Sequence, residues 1–359
     1  MKHLLVDISA HGYGHAAQTA PVLNRLAQLL PQLRITVRSA VPEAYLRQRI
    51  GCAFAYQPVA HDFGMHMRDA LRIDVQRSMA AYREFHADWP HKVAQAAQAM
   101  RALQPDLLLA NVPYLSLAAA QAAGVPAVAM CSLNWADIYR HYAAQDEESA
   151  GIHAQMLAAY DSARDFLKLQ PSMPMSDLHN GREMASVVQL GQAQRTRLHS
   201  LCAAAPGERL VLVAMGGIAH RLPMEAWPVT PGVRWLVPQE WAVQRADMLA
   251  LESLGMPFRD VLASCDAVLT KPGYGTFVEA VCSGVPILYL PRADWPETRW
   301  LVEWAERHGV VRQVVPEALA IEGAAASLQA LWEDLRPPLP SAQGVDGVTA
   351  HLGNLLRLG

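Results

Sequence analysis

The sequence predicts a two-domain α/β protein in which each half contains a parallel β-sheet covered by helices. Its 359 residues exceed the roughly 100–200 residues of one ordinary domain. Short apolar runs alternate with longer segments of helical periodicity, which is typical of βαβ units. Glycine-rich turns follow three of these apolar runs, and such turns are common where a strand leads into a ligand-binding helix.

Composition narrows the class of protein. The chain is 52% hydrophobic and 18% charged, with a net charge of -3, so it can bury two cores and carries no basic field for a nucleic acid. Its five cysteines form no C-x-x-C pair, which favours reduced thiols and a cytoplasmic location. We expect no metal site, because the histidines and cysteines lack ligand spacing. No apolar run reaches the about 18 residues of a membrane span.

The predicted elements follow this rhythm along the chain. In the first half we expect strands at Leu4–Ile8, Arg34–Ser39, Asp106–Asn111 and Ala127–Ser132, and helices at Ala16–Leu30 and Leu115–Ala123. Residues 60–100 interrupt the pattern as a helical insertion. The segment 146–186 is less periodic, and its proline-rich stretch 170–176 is interpreted as the approach to the second domain. In the second half we expect strands at Leu210–Ala214, Val233–Val237, Ala267–Thr270, Ile287–Leu290 and Val310–Val315, and helices at Thr276–Ser283, Leu328–Leu335 and Val348–Leu358.

These elements predict two Rossmann-like domains. The N-terminal domain spans residues 1–180 and the C-terminal domain residues 190–336. A C-terminal helix within 337–359 follows a proline-rich stretch and could pack back on the N-terminal domain.

Three glycine turns are the candidate ligand sites: 11–15, 215–217 and 271–276. In an open α/β sheet, ligands bind at the carboxyl ends of the strands, where backbone N–H groups and a helix N-terminus favour phosphate. A single turn of this kind is often only structural, but two turns at strand ends of the second half favour a diphosphate site. The first turn also fits the dinucleotide pattern G-x-G-x-x-A. A dehydrogenase is nevertheless the least favoured reading, because the second strand ends at Arg38 with no acid, although Arg38 could hold an NADP phosphate.

Residues 271–291 resemble the donor-binding segment of GT-B glycosyltransferases, in particular the peptidoglycan lipid-intermediate GlcNAc transferase and related family 28 and family 1 enzymes. Residues 210–217 resemble the first strand and phosphate loop of the same donor domain. His11-Gly-Tyr-Gly-His15-Ala is similar to the acceptor-domain loop of that family and to the N-terminal part of arabinokinase-type proteins.

The resemblance implies roles for particular residues. The N-terminal domain would bind the acceptor and the C-terminal domain the nucleotide-sugar, in a cleft between them. Glu279 would hold the ribose hydroxyls, Met256 would lie near the base, and Asp294 and Glu297 would contact the sugar. The remaining donor-binding candidates belong to the two glycine turns of the second half: Gly216, Gly217, Lys271, Gly273, Tyr274, Gly275 and Thr276. Lys271 could equally be a solvated charge at a strand end, Thr276 only a helix cap, and Glu279 a surface residue. Arg221 and Arg292 are weaker phosphate candidates.

Glycosyl transfer needs a base for the acceptor hydroxyl and neutralisation of the leaving diphosphate. His15 is the candidate base, since imidazole titrates near neutral pH, and Asp62 is its rival. The sequence therefore predicts a glycosyltransferase that moves a sugar from a nucleotide-diphosphate donor, with UDP favoured, to an unknown hydroxyl acceptor, with inversion and without metal or cofactor. A lipid-linked acceptor would bring peripheral membrane contact. The alternatives are a nucleotide-sugar 2-epimerase and a non-catalytic nucleotide-sugar-binding protein.

Overall fold

The computed structural model of the chain describes residues 1–218 and 220–358. It divides into two compact units, and each is described by itself. Unit 1 contains Met1–Arg68, Ile73–Val188 and the C-terminal segment from Ala342, whereas unit 2 contains Asp69–Arg72 and Gln189–Ser341. The sequence did not suggest that four residues of the first half, Asp69–Arg72, would pack with the second. No helix in the described ranges is both long and apolar enough to cross a membrane.

Unit 1 is built on a seven-stranded parallel sheet in the order β3-β2-β1-β4-β5-β6-β7. Its strands are β1 (His3–Ile8), β2 (Arg34–Arg38), β3 (Ala55–Gln57), β4 (Leu107–Asn111), β5 (Ala127–Cys131), β6 (Asp165–Leu169) and β7 (Gly181–Met184). Its helices up to this point are α1 (Gly14–Leu29), α2 (Glu43–Arg49), α3 (Val75–His86), α4 (Trp89–Leu103), α5 (Tyr114–Ala123), α6 (Trp135–Tyr142) and α7 (Glu147–Asp161). Every residue of the central strands β1, β4 and β5 is buried, which explains why they read as nearly continuous apolar runs.

Unit 2 is built on a six-stranded parallel sheet in the order β10-β9-β8-β11-β12-β13. Its strands are β8 (Arg209–Ala214), β9 (Val233–Val237), β10 (Met248–Ala250), β11 (Ala267–Thr270), β12 (Ile287–Tyr289) and β13 (Val311–Gln313). Its helices are α8 (Arg195–Leu201), α9 (Phe258–Ser264), α10 (Tyr274–Cys282), α11 (Thr298–His308), α12 (Pro316–Ile321) and α13 (Ala325–Glu333). The last helix, α14 (Gly344–Leu358), belongs to unit 1 and packs against α1.

The predicted fold class, α/β with two Rossmann-like sheets, is confirmed. The interpretation of 170–176 as an approach to the second domain is wrong, because this stretch connects β6 and β7 of the first sheet. The helical character of 60–100 is confirmed from residue 75 onward by α3 and α4, whereas residues 60–74 contain no helix. Helix α4 packs against α5.

Both sheets reverse their strand order at one point. In the first sheet the reversal lies between β1 and β4, and in the second between β8 and β11. The connections on the two sides of such a point run to opposite faces of the sheet, which leaves a crevice at the carboxyl ends of the two strands. The glycine turns 11–15, 215–217 and 271–276 follow three of these four strands: β1, β8 and β11.

Candidate active site

The turn after β1 presents His15 at the start of a helix. Gly12 has a φ of 71°, a left-handed conformation that favours glycine, and α1 begins two residues later at Gly14. His15 therefore lies in the first turn of α1, and its side chain is buried at 5% exposure.

A chain of side-chain hydrogen bonds fixes the orientation of His15. Gln18 Nε2 donates to Ser132 Oγ at 2.9 Å, and Asn111 Nδ2 donates to Gln18 Oε1 at 3.0 Å. Asn111 Oδ1 then faces His15 Nδ1 at 2.9 Å. Since this oxygen can only accept, Nδ1 carries the proton and donates it, which leaves a lone pair on Nε2. The network thus selects the tautomer that a general base requires.

Burial also keeps this imidazole neutral. It lowers the pKa of His15 to about 4, while the hydrogen bond with Asn111 acts in the opposite direction. The Sγ atom of Cys131, at the end of β5, lies 3.5 Å from the same Nδ1 atom. Neutral His15 is therefore the form present around pH 7.

Asp62, the rival base, lies in the same unit and is held by Trp135. The indole Nε1 of Trp135 donates to Asp62 Oδ2 at 2.7 Å, and the Trp135 and His15 rings are 5.7 Å apart. Burial raises the pKa of Asp62 to about 6, against the opposing hydrogen bond from Trp135. Gly64 fits tightly here, because a Cβ atom added to it would lie 2.8 Å from the Trp135 ring and 2.9 Å from His11.

Arg38 is committed to a structural ion pair. Its Nε and Nη2 atoms donate to the two carboxylate oxygens of Asp7 at 2.7 and 2.6 Å, and both side chains are almost fully buried. His61 Nδ1 lies 3.2 Å from the same carboxylate. His61 and Arg38 hold the pKa of Asp7 well below its usual range, in spite of burial. Because Arg38 is almost fully buried in this pair, its guanidinium is not presented to a phosphate from solvent, which weakens the argument for a dinucleotide site after β1.

In unit 2, two glycine turns lie side by side. Thr270 pairs with Ala214 in register, and its hydroxyl donates to the Ala214 carbonyl at 2.5 Å, so the ends of β11 and β8 are tied together. Gly216 follows β8 with a φ of 81°, which favours glycine. Gly217 follows it and is partly buried.

Helix α10 points its N-terminus toward these turns. Gly273 is its N-cap and no side chain caps the helix, so Tyr274 and Gly275 open it and Thr276 is its third residue. The reading of Thr276 as only a helix cap is therefore wrong. The first N–H groups of an α-helix lack intrahelical partners and attract anions. Glu279 lies on the same helix with 4% exposure, so it is not a surface residue.

The loop after β12 contributes a cluster of charged side chains. Arg292 is buried, and its guanidinium lies 4.0 Å from the centre of the Trp295 ring. Trp295 Nε1 donates to Glu297 Oε2 at 3.1 Å, and Glu297 is also buried. Asp294, by contrast, is exposed.

The other sequence candidates of unit 2 lie as follows. Met256 is buried immediately before α9. Arg221 pairs with Glu225 and donates to the Trp241 carbonyl, so its guanidinium is already engaged and it is a weak phosphate candidate. The structure thus gathers His15 and Asp62 in unit 1 and the glycine turns with Lys271, Glu279 and Glu297 in unit 2.

One group in unit 1 has metal-ligand spacing. Single ligand atoms of Asp137, His153 and Asp177 lie within 4.8 Å of one another. However, the guanidinium of Arg140 pairs with both carboxylates and already neutralises part of their negative charge. We assign no metal to this cluster.

Comparison with known proteins identifies the fold of the chain. No protein-family model matches the chain. It is 22% identical over 314 residues to an L-arabinokinase of Arabidopsis thaliana; the match covers 84% of this chain but 29% of that protein, so the chain spans less than a third of this curated relative.

Several solved structures share the architecture over nearly the whole chain. The glycotransferase of kitacinnamycin has a TM-score of 0.63 with 18% identity, over 99% of this chain and 95% of that chain. Phytolacca americana UGT2, complexed with UDP-2fluoro-glucose and pterostilbene, has a TM-score of 0.59 with 13% identity, over 99% and 100%. A Listeria monocytogenes protein described as a putative UDP-N-acetylglucosamine 2-epimerase has a TM-score of 0.59 with 13% identity, over 100% of this chain and 97% of that chain. The chain therefore has the GT-B fold, as the resemblance in the sequence predicted.

Proposed function

We propose that this GT-B chain is a glycosyltransferase that takes its sugar from a nucleotide-diphosphate donor, with UDP as the nucleotide. The observation that carries the proposal is the pair of glycine turns at the order reversal of the second sheet, beside the uncapped start of α10. Backbone N–H groups and a helix N-terminus are what a diphosphate requires. The UDP-sugar analogue bound by Phytolacca americana UGT2 supports the nucleotide.

In this proposal the donor lies along the edge of the second sheet. Gly216, Gly217, Gly273 and Gly275 let the backbone approach the phosphates, and Glu279 accepts hydrogen bonds from the ribose hydroxyls. Tyr274, Thr276, Met256, Asp294 and Glu297 complete the donor-binding set. Lys271 supplies positive charge, so no metal or cofactor takes part.

The chemistry in unit 1 would be a single displacement. Nε2 of His15 removes the proton of the acceptor hydroxyl as its oxygen attacks the anomeric carbon of the sugar. The bond from that carbon to the diphosphate breaks, the nucleotide diphosphate leaves, and the configuration inverts. Asn111 acts as a positioning residue, because it keeps the proton on Nδ1.

The first test is binding. Calorimetric titration with UDP, GDP and dTDP should give saturable binding of one nucleotide, with UDP expected. Glu279→Gln should weaken it about tenfold to a hundredfold, the value of hydrogen bonds to a charged group. Glu303→Gln, on the exposed side of α11, is the matched control and should bind as the parent does. Failure of every nucleotide diphosphate to bind would refute the proposal.

A 2-epimerase is the second candidate, because the Listeria monocytogenes protein shares the fold over the whole chain. This reaction needs no acceptor. Incubation with UDP-N-acetylglucosamine alone, followed by NMR of the sugar protons, would reveal the 2-epimer if this candidate were correct. Binding of UDP with no turnover, either alone or with a panel of hydroxyl acceptors, would instead indicate a nucleotide-sugar-binding protein.

A further inference from the structure

Lys271 is placed unlike an ordinary surface lysine. It directly follows β11, and its Nζ lies 3.2 Å from the position that a Cβ on Gly273 would take and 3.8 Å from the same position on Gly216. Within residues 1–218 and 220–358, no hydrogen-bond acceptor or carboxylate pairs with this amine. The Lys271 amine thus lies beside both glycine turns without a partner among the described residues.

A second cation stands beside this amine. The guanidinium of Arg292 lies over the Trp295 ring and repels the Lys271 ammonium. Among the described residues, Glu297 is a carboxylate whose charge raises the pKa of Lys271, and it already accepts the Trp295 N–H. Two basic side chains therefore meet at this edge of the second sheet, and the carboxylate that opposes them is partly engaged.

His220, in the loop after β8, is another titratable group whose charge interacts with that of Lys271, and it in turn meets the 69–72 segment. His220 Nδ1 lies 3.9 Å from Asp69 Oδ1, and Arg72 pairs with the same Asp69. Burial lowers the pKa of His220; Asp69 opposes that shift, while Arg72 and Lys271 add to it.

The charge on Lys271 is consequently sensitive to what binds. Burial and then Arg292 lower the pKa of Lys271 to about 7, against the raising effect of Glu297. At about pH 8 such an amine is mostly neutral. A phosphate beside it would favour the ammonium form, because opposite charges raise the pKa of a basic group.

We propose that Lys271 and Arg292 together receive the diphosphate of the donor, and that a nucleoside diphosphate binds unit 2 with net uptake of a proton at Lys271 Nζ. The proton comes from the solvent and no covalent bond changes. This inference rests on the proposed function and adds the group that makes donor binding depend on pH.

Calorimetry in two buffers tests the proposal. UDP is titrated at about pH 8, where its terminal phosphate, with a pKa near 6, is fully ionised. The heat is measured in buffers of different ionisation enthalpy, and the slope of observed heat against that enthalpy gives the protons taken up. We expect net uptake of more than about half a proton per UDP for the parent chain. Lys271→Met should reduce the uptake to near zero and weaken binding about tenfold.

Two further variants identify the group that takes the proton. Lys168→Met removes a lysine of β6 that pairs with Glu183 in unit 1, and it should leave uptake and affinity unchanged. His220→Gln should keep most of the uptake. Loss of uptake in His220→Gln but not in Lys271→Met would overturn the assignment, and so would UDP binding without uptake in the parent chain. No UDP binding at all would instead refute the proposed function, which keeps the two failures distinct.

Discussion

At the scale of single residues, two candidate bases differ in the pH at which each becomes active. A base works in its deprotonated form, which appears as pH rises through its pKa. That pKa is about 4 for His15 and about 6 for Asp62. With the donor saturating, so that Lys271 is already protonated in the complex, we expect kcat/KM for the acceptor to stay flat from about pH 8 down to about pH 5, since His15 remains neutral over this range. An acidic limb near pH 6 that vanishes in Asp62→Asn would show that Asp62 is the base.

Substitution of the base gives a second readout. His15→Ala should lower kcat about 10²–10⁴-fold, the usual contribution of a positioned base. UDP affinity should stay unchanged, because the proposed donor residues belong to unit 2. Equal loss of UDP binding and turnover would indicate a folding defect, which circular dichroism would reveal.

Asn111 offers a sharper test of positioning. Asn111→Asp puts a carboxylate 2.9 Å from His15 Nδ1, and a negative neighbour raises the pKa of an imidazole. The acidic limb of kcat/KM should therefore move to higher pH than in the parent enzyme. Asn111→Leu should lower kcat with little change in KM, because the tautomer is no longer fixed. An unchanged pH profile in Asn111→Asp would contradict this role.

At the scale of secondary-structure elements, several strands predicted from the sequence are buried on both faces. Leu4–Ile8, Leu210–Ala214 and Ala267–Thr270 are nearly uninterrupted apolar runs, and the structure has strands at all three. The edge strand β7, Gly-Arg-Glu-Met, was missed because its residues are mostly exposed and polar. The sequence carries no apolar signal for such a strand.

Helix α14 illustrates how an element far along the chain supports the first unit. Val348 and Leu352 are fully buried, and Gly344 passes so close to Ala185 that a Cβ would lie 2.2 Å from its carbonyl oxygen. We expect Leu352→Ala to lower the free energy of unfolding by about 2–5 kcal/mol, the cost of a buried cavity. Asn354→Ala, at an exposed position of the same helix, should change it by less than about 0.5 kcal/mol. Chemical denaturation measures both.

The sites were predicted less completely than the sheets. The glycine turns and Glu279 stand out because glycine spacing and helix starts are local features. The hydrogen bonds that fix the His15 tautomer, by contrast, join residues far apart in sequence, such as Asn111 and Gln18. The same is true of the ion pair between Arg38 and Asp7. Only the three-dimensional pairing of β1, β2 and β4 brings these side chains together.

At the scale of the whole molecule, the two units should respond differently to the nucleotide. The proposed UDP contacts belong to one sheet, so binding stabilises that unit by mass action, about 2.7 kcal/mol at a hundredfold excess over Kd. Amide hydrogen exchange should slow most in peptides covering 214–218 and 271–282. Peptides covering β4 and the start of α1 should change far less, because in this proposal they serve the acceptor. Protection of equal size around His15 and Asn111 would mean that the donor contacts unit 1 directly, and the division of roles between the two units would then be wrong.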